Sequence, residues 1–190
     1  MLSLDRGYSD IFHKKGGNQA YSAMANTLRG HYGSDVLIAP ANSFTGLVLR
    51  ADYTEKMAAN MIMPNILEAW HREMTGAELK ETVKAYVEGI EGGFTPFNRG
   101  SLPTVSGISV EVKEEDGAYT LIRVLKDGRE IRDGDTFLVT CLNTEAYMAP
   151  LLKDESRVFE KEQQWVKPEW TAYILDGGTV AKPEPYITLK

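Results

Sequence analysis

Thr75 and Glu78, three residues apart in Thr75-Gly-Ala-Glu78, fix one helix start in the middle of this chain. The threonine hydroxyl accepts from a backbone N–H of the new helix while the glutamate reaches back to the threonine's own N–H, a capping box. From Ala77 to Ile90 the apolar residues Leu79, Val83, Tyr86, Val87 and Ile90 hold a helical stripe, with Lys80, Glu81, Lys84 and Glu88 opposite. Gly92-Gly93 stops it. Before the box, Ile66 to Met74 alternates imperfectly.

Other elements follow from the same periodicities. Tyr21, Met24, Ala25 and Leu28 form the stripe of a helix over Asn18 to His31, ended by Gly30 and Gly33. Asp35 to Ala39, closed by Pro40, reads as a buried strand. Ala41 to Tyr53 reads as a loop with a short strand at Leu47 to Leu49, and Thr54 caps a second helix reaching Met61. Ile108, Val110 and Val112 alternate with polar residues, and the turn from Glu114 to Gly117 leads into a strand over Ala118 to Leu125. Asp127-Gly128 lies between apolar runs as a tight hairpin turn. Thr136 to Leu142 is a further buried strand. Pro168 at a first helical position opens a last helix, Gly177-Gly178 closes it, and Tyr186 to Leu189 is a final strand. Strands and helices interleave, some joined as hairpins and some through helices, so the expected class is α+β, a mixed β-sheet with helices packed on it.

Residue counts narrow the function classes. In 190 residues, 27 acidic side chains face 21 basic ones without a Lys/Arg cluster, so a nucleic-acid polymer is excluded as a partner, although one phosphate needs only a few local donors. One domain over residues 1–190 fits this length. No stretch of about 18 apolar residues exists, so no membrane span is expected. Cys141 is the lone cysteine, which rules out an intramolecular disulfide and a cysteine-based metal site.

No catalytic set assembles from these residues alone. His13, His31 and His71 lack a ligand partner at metal spacing and read as structural or surface groups. Gly16-Gly17 precedes a helix whose free N–H groups suit an anion, yet neither a Gly-x-Gly-x-x-Gly pattern nor a Walker lysine accompanies it. Ser106-Gly107 lacks the leading glycine of a nucleophile elbow and reads as a turn. Phe94-Thr-Pro-Phe97 puts two rings in a loop, where they line a pocket or plug the space beneath. Met57, Met61, Met63 and Met74 read as core filling.

Longer segments carry more. Met74-Thr-Gly-Ala-Glu-Leu-Lys-Glu-Thr-Val83 follows Pro64-Asn65-Ile66-Leu67, while Gly17-Asn18 and Tyr21-Ser-Ala-Met24 lead to Asp35-Val-Leu-Ile38. Val105-Ser-Gly-Ile108, Phe137-Leu-Val139, Tyr173-Ile174, Gly177 and Pro185-Tyr186-Ile187 complete the series. In this order, from about Gly16 to the end, these segments resemble the C-terminal domain of the 5'-nucleotidase and 2',3'-cyclic-nucleotide phosphodiesterase family of secreted metallophosphoesterases. The resemblance implies that a separate N-terminal metallophosphoesterase domain holds a divalent metal pair, which activates water and polarises the phosphoryl oxygens. This domain would clamp the substrate, carrying no catalytic residue, no metal and no cofactor of its own. Residues 1–15 would be a linker from that partner domain, Met1 the start of a fragment, and the location extracytoplasmic: periplasmic, cell-wall or secreted.

Departures from the family pattern fall at the clamp itself. Pro40-Ala-Asn-Ser-Phe-Thr45 stands where nucleotidases show Asn-Gly-Gly-Gly-Ile-Arg, so the arginine position falls near Thr45, with Arg50 as a substitute if the loop register shifts. The family's stacking phenylalanine falls near Asn65, and Asn143-Thr-Glu-Ala-Tyr147 replaces its second aromatic site. The candidate substrate contacts are therefore Asn42, Phe44, Arg50, Asn65, Phe97, Asn143 and Tyr147, placed by loops beside matched strands; Asn42 and Asn143 equally suit turns. The resulting expectation is a substrate-binding domain for a nucleotide or related anionic small molecule. Ile38-Ala-Pro40 and Glu73-Met-Thr-Gly76 also resemble the thiosulfohydrolases of sulfur oxidation, and a non-catalytic binding or packing module is the third reading.

Overall fold

A computed structural model describes residues 17–40, 43–45, 53–63, 66–88, 102–116, 118–145, 148, 151 and 156–190. Two mixed sheets result where the sequence pattern suggests one. The first contains β1 (Val36–Ala39), β2 (Glu68–Thr75), β3 (Thr104–Ser106), β7 (Thr136–Asn143) and β8 (Glu160–Trp165) in the order β3-β1-β7-β2-β8. Only β1 and β7 run parallel, and the remaining neighbours are antiparallel. The second contains β4 (Ser109–Glu115), β5 (Ala118–Lys126), β6 (Arg129–Glu130) and β9 (Ile187–Leu189) in the order β6-β5-β4-β9, with β4 and β9 parallel.

Alternation along β1 assigns the layers, since successive strand side chains point to opposite faces. Val36 and Ile38 join Val139 and Cys141 of β7, the stripe Leu79, Val83, Tyr86 and Val87 of α3 (Gly76–Glu88), and Val110, Val112, Val124 and Ile187 of the second sheet. Leu37 and Ala39 point the other way, into a cluster with Met24, Ala25 and Leu28 of α1 (Gln19–His31), Ala58 of α2 (Glu55–Ala59) and Val166, Trp170 and Ile174 of α4 (Val166–Leu175). The five-stranded sheet is thus covered on both faces, which explains why β1 is apolar throughout rather than alternating.

Helix boundaries obey local chemistry. Asn18 caps α1 through its side chain on the Tyr21 N–H, 3.1 Å away. At the other end the Gly33 and Ser34 N–H groups bond the Gly30 and Arg29 carbonyls, a Schellman closure. The Thr75–Glu78 box forms as expected: the Thr75 N–H donates to Glu78 Oε2 at 2.8 Å and the Glu78 N–H to Thr75 Oγ1 at 3.3 Å. The Gly76 and Ala77 N–H groups go to the Asp135 and Asp133 carbonyls at 2.7 and 3.1 Å, so every donor of this helix start is taken.

One reading needs adjustment, and two strands join those expected. Helix α4 begins at Val166, which puts Pro168 third rather than first; a proline is tolerated there because first-turn N–H groups lack intrahelical partners. Thr104–Ser106 and Glu160–Trp165 are strands that the sequence pattern does not announce. The strand expected at Leu47 to Leu49 and the stop at Gly92-Gly93 lie outside the described residues.

Candidate functional site

One end of the five-stranded sheet gathers the strand ends next to the candidate residues. Parallel β1 and β7 finish together, at Ala39 and Asn143. Beside them antiparallel β3 begins at Thr104, opposite Ala39, and antiparallel β2 begins at Glu68, opposite both Asn143 and Trp165. Asn42 and Phe44 follow β1 in sequence, Asn65 precedes β2, Phe97 precedes β3, and Tyr147 follows β7. In open α/β sheets ligands bind outside the carboxyl ends of parallel strands, and the carboxyl ends of the one parallel pair in this sheet, β1 and β7, lie at this edge.

Two of the seven candidates are among the described residues. Asn143 is 2% exposed and ties the strand end to its neighbours. Its Nδ2 donates to the Tyr86 hydroxyl at 3.4 Å, its Oδ1 accepts the Thr144 N–H at 3.0 Å, and its carbonyl accepts Trp70 Nε1 at 3.4 Å. Phe44, 1% exposed, bridges Ile62 and packs its ring 5.8 Å from Tyr21 in the helical-side core. Thr45, near the family's arginine position, donates its hydroxyl to the Asn60 carbonyl and ties this loop to the end of α2. Asn42, Arg50, Asn65, Phe97 and Tyr147 lie outside the described residues.

A charged bridge that the sequence pattern missed closes the same end. Lys161 of β8 reaches across β2, where its ammonium lies 3.0 Å from Glu68 Oε1, 3.5 Å from Glu145 Oε2 and 5.0 Å above the Trp70 ring. Hydrogen bonding from Glu68 first, with Glu145 assisting, raises the lysine pKa, so its charge is permanent at neutral pH. Glu68 Oε2 is left buried without a partner. Trp165, 48% exposed, sits directly across from Glu68 as an open aromatic face. The missing signal is β8 itself, whose polar Glu-Lys-Glu-Gln-Gln run hides its strand character.

Among the described residues, Cys141, Tyr86 and Ser106 are not free to act as nucleophiles. Burial pushes the Cys141 thiol up to about 12, and burial likewise raises the Tyr86 phenol, so both stay protonated at neutral pH. Ser106 is saturated: its hydroxyl donates to Asn26 Oδ1 at 2.5 Å and accepts from Arg29 Nε at 2.9 Å. No three His, Cys, Asp or Glu side chains among the described residues converge as metal ligands. Among the described residues no helix is long and apolar enough to cross a membrane.

The described residues form an α+β architecture of two mixed sheets and four helices, with the ends of β1 and β7 at one edge. That fold recurs in solved structures. A 5'-nucleotidase precursor from Thermus thermophilus matches with a TM-score of 0.59 at 13% identity, over 89% of this chain and 34% of its own. A sulfate thiohydrolase of the same organism, SoxB, solved with glycerol, matches with a TM-score of 0.59 at 16% identity, over 88% of this chain and 31% of its own. The NAD nucleotidase of Haemophilus influenzae matches with a TM-score of 0.58 at 17% identity, over 89% of this chain and 32% of its own. The chain thus spans about a third of these structures' length, as fits the C-terminal-domain resemblance read from the sequence. No protein-family model and no curated protein matches the sequence.

Proposed function

We propose that this chain is the substrate-binding domain of a two-domain, 5'-nucleotidase-like phosphohydrolase. It holds a nucleotide or related anionic small molecule at the outer ends of β1 and β7, while a separate N-terminal domain with a divalent metal pair performs the hydrolysis. The carrying observation is the convergence of the Ala39, Glu68, Thr104 and Asn143 strand ends at one edge of a fold shared with two nucleotidases. Residues 1–190 form one domain in this reading, residues 1–15 lead from the partner domain, and the protein works outside the cytoplasm. Arg50 supplies the positive charge that Thr45 lacks, and Asn42, Asn65, Phe97 and Tyr147 surround the ligand, with Phe44 and Asn143, both buried, supporting the loops beneath it.

Titrating the chain with AMP, followed by the fluorescence of Trp165 and Trp70 and by calorimetry, tests this. Saturable binding that weakens about tenfold or more in Arg50→Ala is expected, the scale of a lost charge-assisted contact. Saturable binding unaltered by that substitution removes the arginine from the site, and absence of AMP binding overturns the nucleotide reading. A second reading, a thiosulfate-type substrate, is kept because Ile38-Ala-Pro40 and Glu73-Met-Thr-Gly76 resemble the thiosulfohydrolases and the sulfate thiohydrolase shares the fold. Turnover of AMP against a thiosulfate-type substrate by the protein joined to its metal domain separates the two.

A further inference from the structure

The β5–β6 hairpin sets two like charges against each other. Lys126 and Arg129 are paired directly across its turn, so their side chains share one face, a placement that repels. That face is the inner one, because Val124, two residues before Lys126, and Ile131, two after Arg129, both lie in the core that the two sheets share. Arg132 follows in a turn that Asp135 closes by accepting the Arg132 N–H at 2.9 Å. Lys126, Arg129 and Arg132 line an open cleft of about 640 Å³, together with Thr136 and Phe137 at the start of β7.

The acidic residues around the cleft leave these cations unpaired. Glu130, opposite Leu125, is on the outer face, where its charge acts on Arg123. Asp135 holds the Arg132 backbone, Asp133 pairs with Lys80 at 2.8 Å, and Asp127 forms the hairpin turn with a φ of 51°. Among the described residues no carboxylate comes within ion-pair distance of Lys126, Arg129 or Arg132. The Lys126 ammonium instead donates to the Gly107 carbonyl at 3.3 Å and lies 5.7 Å from the centre of the Phe137 ring. Small-molecule pockets span about 300–1,000 Å³, so the cleft admits more than a single ion. A guanidinium takes two oxygens of one phosphoryl group through its planar fork, while an ammonium acts as a point charge, so two of the first and one of the second suit several phosphate oxygens at once.

We propose that this cleft is a second anion site, in which Lys126, Arg129 and Arg132 hold a small polyvalent phosphoanion such as a di- or triphosphate chain. The bound anion offsets the repulsion between Lys126 and Arg129 that the hairpin otherwise carries. The site is separate from the substrate edge: β7 starts at the cleft and ends at Asn143, so the two lie apart by the length of an eight-residue strand, roughly 25 Å. It stands or falls independently of what the substrate edge binds.

Amide NMR of the full chain, titrated with tripolyphosphate at constant ionic strength, tests the assignment. Amides from Lys126 to Phe137 should shift saturably. Their half-saturation concentration should rise about tenfold in Arg129→Gln and in Arg132→Gln, the scale of one lost charge-assisted contact. Both side chains are exposed, so these variants keep the fold. Lys113→Gln, which removes an exposed cation of the same sheet, and Arg50→Ala, at the proposed substrate edge, should leave the value unchanged. Four results each overturn the site: no saturable shift, the same shifts with sodium chloride alone, a half-saturation unmoved in either arginine variant, or one raised as much by Lys113→Gln.

Discussion

Gly76 marks a place where the molecule has no spare volume. A Cβ there would run into the Arg132 carbonyl and lie 2.8 Å from Ile131 Cγ2, both in the segment whose carbonyls cap the same helix. The glycine of Thr75-Gly-Ala-Glu78 is therefore a packing residue rather than an anion-binding one. Gly76→Ala should cost about 1–3 kcal/mol, the usual range for forced overpacking, read as a lower urea midpoint at unchanged slope. Glu78 next to it carries the pH dependence of this corner. The Thr75 backbone N–H foremost, then the Thr75 hydroxyl and Arg72, hold its carboxyl below the usual carboxylate range against a smaller desolvation effect. A depressed folded pKa stabilises above the unfolded value and is lost as pH falls through the folded one. Glu78→Ala should accordingly cost about 1 kcal/mol at neutral pH, and the gap from wild type should close as acid protonates the carboxyl, a comparison of urea midpoints across pH. Asn143 shows how residue type misleads about role. An asparagine after a strand suits a turn or a ligand, and the sequence cannot reveal that Tyr86, in a helix 57 positions away, receives its amide proton.

Elements were legible where their own chemistry sets their bounds. The Asp127-Gly128 turn is such a case, with φ of 51° and 76° at its two central residues and Lys126 paired to Arg129 around it. No atom lies within 4 Å of a Cβ placed on Gly128, so Gly128→Ala meets only backbone strain. About 1–2 kcal/mol should be lost, visible as a lower Tm, half of it or more recovered by Gly128→Asn, because asparagine tolerates left-handed backbone. Strand β8 was illegible for the opposite reason. It is paired along one edge, exposes all six residues and carries Glu160, Lys161 and Glu162, so neither alternation nor apolarity distinguishes it from a loop. Those charges suit an edge strand, and two of them reach partners on β2. The candidate site was half legible on the same grounds. Its place at the strand ends follows from element order, while the Lys161–Glu68–Glu145 bridge depends on a strand pairing that no local pattern encodes.

At the scale of the whole molecule, the last dozen residues join parts that lie far apart in sequence. After α4 ends in a Schellman closure at Gly177 and Gly178, the chain lies along α1. A polar stripe on that helix receives it. Ala181 donates its N–H to Thr27 Oγ1 at 2.8 Å, Asn26 Nδ2 donates to the Lys182 carbonyl at 2.7 Å, and Ser22 exchanges bonds with both backbone groups of Glu184 at 2.7 and 2.8 Å. The Tyr186 hydroxyl then accepts the Asn18 N–H at 3.0 Å, and β9 pairs with β4 in the second sheet. Ser22, Asn26 and Thr27 are buried, so a chain ending at Gly178 would leave their polar groups short of partners and open a strand edge on β4. Val180 and Ile187 leave the two cores as well, at about 1.5–3 kcal/mol for each fully buried side chain, so the loss approaches the 5–15 kcal/mol that a domain has in total. Removal of residues 179–190 should therefore abolish the cooperative thermal transition rather than shift it. Calorimetry of the two chain lengths decides: a sharp transition in the shortened chain within a few degrees of the full one would show that α1 and the second sheet stand without the strap.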